Sequence, residues 1–138
     1  MIFEGLDDLG NSDPSQAGQA DIQMRLIQAY QQMISQIHAS GYKAIGATLT
    51  PFLCPPGHTG GMNRYALEPI REQTRQNINS WIRTSGSFDY VVDFDKILRD
   101  RKNPSVFSQR YIGTDCLHPS LKGYAAMARL FPLEVFSV

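Results

Sequence analysis

The sequence predicts an α/β domain in which helices cover a parallel sheet. Three observations carry that reading. Apolar runs of strand length alternate along the chain with longer stretches in which apolar residues recur at helical spacing. The resulting order, β-α-β-α-β-α, needs crossover connections, and these favour parallel pairing. The last strand-like run, "FDYVVDF", is apolar through its middle, as a strand buried on both faces would be.

The elements follow in order. "MIFEG" is a short apolar run closed by Gly5 and reads as the end of a strand. "NSDPSQAGQ" reads as a polar loop. From Asp21 to Ser40, Ile22, Leu26, Tyr30, Met33, Ile34 and Ile37 keep helical spacing, and Gly41 is placed to end that helix. "YKAIGATLTPF" reads as a strand stopped by Pro51, and the Pro- and Gly-dense "LCPPGHTGGMN" as a loop. A second helix is predicted from about Leu67 to Thr84 on the stripe Ile70, Thr74, Ile78, Trp81, Ile82, closed by Gly86. After "FDYVVDF" the last helix runs from about Ser120 to Leu130. No repeat, low-complexity tract or linker divides residues 1–138, so a single domain is expected.

Composition narrows the function classes. Thirteen basic and thirteen acidic side chains balance to zero formal charge. With no Lys/Arg cluster, nothing resembles the electrostatic footprint of a nucleic-acid binder. The longest apolar runs are too short to cross a bilayer, so no membrane partner is expected. "MIFEGLDDLG" lacks the basic and apolar regions of a signal peptide, which predicts no export by that route.

In open parallel sheets, ligand sites collect beyond the C-terminal ends of the strands. "EGLDDLG", the loop with Cys54, "DFDKILRD" and the loop "TDCLHP" all fall there. Within the last, Asp115 and His118 stand three residues apart. A histidine serves as general base when a carboxylate holds its other ring nitrogen, fixing the tautomer and stabilising the imidazolium. Pro119 stiffens the backbone after the histidine and suits the first turn of a helix. The spacing equally fits a turn, with Asp115 bonding local backbone and His118 a half-buried loop residue.

Other residues stand beside this pair as candidates. Cys54 and Cys116 both fall at the rim of the predicted site, where they form either a disulfide in an oxidising compartment or two unrelated buried thiols. Cys116 and His118 with Cys54 or His58 imitate a zinc site, but the spacing matches no standard finger, and neither metal nor cofactor is expected. His38, near a helix C-terminus, reads as structural. Trp81 and Tyr124 read as helix packing, and Asp93 and Asp95 as partners of loop backbone.

The segment "DCLHPSLKGYAAMA" resembles the last motif block of the SGNH hydrolases, the GDSL-like esterases, in which D-x-x-H-P precedes a helix with G-Y-x-x-M-A. "EGLDDLG" resembles their third block, G-x-N-D. "GATLTPF" and "NSWIRTSGSFDYVVDFDKILRD" fit between them in order, so the resemblance spans almost the whole chain. It is nearest to the carbohydrate-associated esterases with E-G-x-N-D-x-G and G-A-T-L-T-P-F, a subgroup often secreted. The resemblance implies a flavodoxin-like three-layer α/β/α fold and serine-dependent hydrolysis of acyl or acetyl esters. It makes His118 the base, Asp115 its orienting partner, and Gly5 and Asp8 structural residues near the site.

Two departures qualify what the resemblance implies. The third block begins at Gly5, which leaves no room for the G-D-S block or the oxyanion-hole glycine, and no serine stands in a G-D-S or G-x-S-x-G context. The family's oxyanion asparagine falls on Asp7. An amide donates to a developing oxyanion, whereas an ionised carboxylate can only accept. The chain is therefore expected to be an N-terminally truncated family member without the nucleophile, inactive alone as an esterase. The alternative is a non-hydrolytic pseudoenzyme, binding module or proton-transfer enzyme using Asp115 and His118. In either case the "MIFEG" strand would be an exposed edge, open to a second copy or to a complementary N-terminal fragment.

Overall fold

Two short strands form the sheet, and backbone pairing aligns a third segment beside them. The computed structural model describes residues 1–61 and 63–136. Strand β1 (Ile45–Ala47) runs parallel to β2 (Tyr90–Val92), with Ile45 opposite Tyr90 and Ala47 opposite Val92. On the other side of β1, Ile2 forms a parallel bridge to Gly46. Its N–H donates to the Ile45 carbonyl at 2.7 Å, and its carbonyl accepts from Ala47 N–H at 3.0 Å. The spatial order is thus the Ile2 segment, β1, β2. "MIFEG" contributes one bridge rather than a full strand, because Gly5, at φ 110°, turns the chain at once into helix α1 (Leu6–Asn11).

Side chains alternate across the sheet, and each face has its own core. Ile2 belongs to one face, where Leu26, Tyr30 and Ile34 of α2 (Gln16–Ala39) pack with Ile78 and Ile82 of α3 (Pro69–Thr84). Ile45, Ala47 and Val92 belong to the other. There they meet Phe94 and Leu98 of α4 (Phe94–Leu98) and Met127 of α5 (Leu121–Arg129). Helices on both faces of a parallel sheet give the α/β/α layering that the alternating sequence predicts. Short 3₁₀ helices occupy Arg64–Leu67 and Leu133–Phe136.

Several boundaries move, each for a local reason. Helix α2 starts at Gln16, inside the predicted loop, because the Ser15 hydroxyl accepts from Gly18 N–H at 3.0 Å and caps it. It ends as predicted, with Gly41 at φ 77°. Helix α1 was not foreseen: its six residues are too few to show a period, though Asp7 and Asp8 in its first turn suit the helix dipole. The Pro/Gly loop stays irregular, apart from Met62, which lies outside the described residues. The reading of "FDYVVDF" as buried on both faces is corrected. Val91 is 38% exposed, because β2 has a strand neighbour on one side only among the described residues.

The C-terminal end of β1 is held by polar side chains. Asn79 of α3 donates to the Leu49 carbonyl at 2.8 Å and accepts from Leu49 N–H at 2.7 Å, pairing as a strand would. Arg75, fully buried, donates to the same carbonyl, to both Glu72 oxygens and to Asp95 at 2.6 Å. Burial works against the Arg75 charge, but its bonds to Glu72 and Asp95 prevail and its pKa is raised. Asp95 also takes Arg83 and Arg99. Asp93 takes Arg83, Thr48 and the Lys96 N–H. Reading Asp93 and Asp95 as bonded to loop backbone is therefore corrected: arginines are their main partners. A buried arginine inside a helical stripe is invisible to hydrophobic periodicity.

Candidate active site

The loop before α5 is a closed hairpin. Gly113 N–H donates to the His118 carbonyl at 2.8 Å, Ser120 N–H to the Tyr111 carbonyl at 2.7 Å, and Ile112 bridges Pro119. A Cβ at Gly113 would lie 2.6 Å from the His118 carbonyl oxygen, so the closure needs glycine there. The Ser120 hydroxyl then caps α5.

Within this hairpin one Asp115 oxygen accepts from Leu117 N–H at 3.0 Å and His118 N–H at 2.9 Å. The other lies 2.6 Å from His118 Nδ1. Partial burial pushes the Asp115 pKa up, but the bonds from the His118 ring and from both N–H groups outweigh it and hold the carboxyl at about 2. An ionised carboxylate only accepts, so Nδ1 carries a proton, and in the neutral ring Nε2 keeps its lone pair. That is the tautomer a general base needs. Asp115 acts both as the turn residue and as the histidine's partner.

His118 faces a cavity of about 200 Å³ that it shares with Gly5, Asp7, Asp8, Thr50 and Tyr124. The opposite wall is the first turn of α1. Gly5 is required there twice over: its φ of 110° is left-handed, and a Cβ would meet the Tyr30 hydroxyl at 2.7 Å. That hydroxyl donates to the Glu4 carbonyl at 2.6 Å. Asp7 accepts from the Tyr65 hydroxyl at 2.8 Å. Burial first, and then Asp7, raise the Tyr65 pKa. Asp8 lines the cavity, and no hydrogen bond to its carboxylate is found among the described residues.

The cavity brings Gly5, Asp7, Asp8 and His118 together, and Asp115 reaches them through its bond to the His118 ring. Cys54 and Cys116 form a disulfide with Cα atoms 5.2 Å apart, which settles the two readings left open and removes both thiolates as zinc ligands. Tyr124 is corrected: it is 49% exposed and lines the cavity instead of packing inside a helix interface. Trp81 does pack, against Tyr30 and Phe88. Thr50, Tyr65 and Asn63 were missed; Thr50 was hidden inside a strand-like run, and nothing local marks the other two.

A carboxylate-held histidine thus stands beyond the C-terminal end of a strand in a parallel α/β fold. The profile of the GDSL-like lipase/acylhydrolase family matches residues 1–131. The chain belongs to that family, and its lineage is one of ester hydrolases. A search among curated proteins found no match.

Proposed function

We propose that this chain carries the histidine–aspartate part of an ester-hydrolase site for acyl or acetyl esters, with carbohydrate-linked esters as the substrate class. The observation that carries the reading is the 2.6 Å contact between His118 Nδ1 and Asp115 at the wall of a cavity. His118 would take a proton through Nε2, and Asp115 would stabilise the imidazolium. The carbohydrate link rests on the resemblance of "EGLDDLG" and "GATLTPF" to one esterase subgroup. The disulfide fits an oxidising compartment, which agrees with that subgroup.

The serine nucleophile is not supplied by these residues in this reading. No serine stands in a G-D-S context, and the cavity's hydroxyl-bearing side chains are Thr50 and Tyr124 among the described residues. A complementary N-terminal fragment would bring the nucleophile to the strand edge at Ile2. A second reading, a non-hydrolytic pseudoenzyme or binding module, is favoured by Asp7. The Tyr65 hydroxyl points a proton at a carboxylate where an oxyanion hole needs a donor, and losing one such donor costs about two to three orders of magnitude in rate.

Turnover of p-nitrophenyl acetate with fluorophosphonate labelling tests the main reading. The chain alone is expected to take no label. Stoichiometric labelling of one serine, with turnover abolished in His118→Ala, would show that the nucleophile lies within these residues.

A further inference from the structure

Cys116 is the one fully buried residue of the exposed turn that carries Asp115 and His118. It is also the only non-glycine residue at positive φ among the described residues, at 56°. An L-residue in that region is held there by its surroundings, and two ties hold this one. Its sulfur is bonded to Cys54 in the loop after β1, where Leu53 is itself paired with Val106 and Phe107. Its carbonyl accepts from Asn63 Nδ2 at 2.9 Å.

Asn63 does more than tie that carbonyl. The same amide nitrogen donates to the Phe52 carbonyl at 2.6 Å, and its oxygen accepts from Tyr65 N–H at 2.9 Å, capping the 3₁₀ helix Arg64–Leu67. Tyr65 in turn bonds Asp7 on the opposite wall of the cavity. One side chain therefore links the His118 wall to the Asp7 wall, although it does not line the cavity between them.

We propose that Asn63, together with the Cys54–Cys116 disulfide, is a positioning residue of the site: it holds the Cys116 backbone in the one conformation that presents Asp115 to His118. The proposal rests on Asp115 and His118 being the working pair of the function proposed above. Asn63 does not line the cavity at His118, and it acts through the backbone of the turn.

Nitrogen chemical shifts of the His118 ring test this, because in the neutral ring they report which nitrogen carries the proton. At alkaline pH the wild-type chain is expected to show the Nδ1–H tautomer. Asn63→Asp keeps the oxygen that caps Tyr65 but turns the donor into an acceptor facing two carbonyls. This variant is expected to shift His118 toward the Nε2–H tautomer while amide signals of Tyr30 and Ile78 stay in place. An unchanged tautomer in the folded variant overturns the proposal. If Asn63→Asp does not fold, the wild-type chain reduced with dithiothreitol serves instead. Two thiols of the reagent become its disulfide as Cys54 and Cys116 become thiols, and the same shift is expected; no shift overturns the proposal. A wild-type ring already in the Nε2–H form would overturn the Asp115–His118 pair as well, and so separates the two failures.

Discussion

His118 Nδ1 lies 2.6 Å from one oxygen of Asp115, and the other oxygen of that carboxylate closes the turn on which His118 sits. The side chain that orients the ring also shapes the backbone delivering it, so the two cannot drift apart independently. The molecule contains a second pair for comparison. His38 Nε2 lies 2.8 Å from Asp89, whose carboxyl is held at about 2 chiefly by the His38 ring and also by Ala44 N–H. That pair bonds the end of α2 to the residue before β2, which also holds Ala44 ahead of β1, and neither side chain lines the cavity at His118. Pairing alone therefore does not distinguish the two histidines; what sets His118 apart is its place at a cavity wall.

The Asp115 carboxyl should titrate well below an ordinary aspartate. Its folded pKa is depressed, so its contribution is fully present above the unfolded value of about 3.9 and fades as pH falls toward 2. Carbon chemical shifts of the Asp115 carboxyl across that window should give a midpoint near 2. A midpoint near 3.9 would mean that neither the turn nor the pair persists in solution. Because both side chains are at least half exposed, His118→Ala should leave the unfolding free energy within about 0.5 kcal/mol.

The buried charges behave in the opposite way. Asp95 is fully buried and receives three arginines, one of which, Arg75, is itself fully buried. Removing Asp95 leaves the three arginines with only Glu72 and Asp93 as carboxylate partners, an excess positive charge beside the buried Arg75. Asp95→Ala should therefore cost about 3–5 kcal/mol in denaturant unfolding. A loss under about 1 kcal/mol would mean that solvent reaches Arg75.

Gly5 offers a test of the α1 wall. Any side chain there meets the Tyr30 hydroxyl and a φ of 110° together. Gly5→Ala should destabilise the chain by about 1–3 kcal/mol. It should also move the amide signals of Asp7 and Asp8 while leaving those of α5 in place. A neutral substitution would mean that the turn into α1 has another conformation in solution.

Legibility in the sequence followed the range of the interactions. Helix α5 and the Asp115–His118 turn were readable because cap, turn and pair all lie within a few residues of one another. The helices α2 and α3 were readable because their buried stripes repeat. Helix α1 was missed for shortness. Arg75 and Asn63 were missed, and Asp95 misread, because beside their near neighbours each bonds a group 11 to 53 residues away that nothing local marks. The disulfide was legible only as a pair of cysteines at the same rim, since its closure depends on how the loops after β1 and before α5 approach each other.

The Ile2 segment carries the last prediction. One side of it pairs with β1, and the backbone N–H and carbonyl of Phe3 have no hydrogen-bond partner among the described residues. Phe3 itself is half-buried against the α4–α5 core, and Met1 and Tyr124 are about half exposed. Unpaired backbone beside apolar side chains is the arrangement to which another strand adds. At tens of micromolar, roughly the range where such surfaces associate, the chain should elute above monomer mass in size-exclusion chromatography with light scattering. Phe3→Pro, which removes the free N–H of the edge, should move it back toward monomer. Titrating in a peptide that carries a G-D-S strand should instead displace self-association and introduce fluorophosphonate labelling on the peptide's serine. A monomer that ignores that peptide would mean that the edge is not a docking site, and the pseudoenzyme reading marked by Asp7 and Tyr65 would then be the better account.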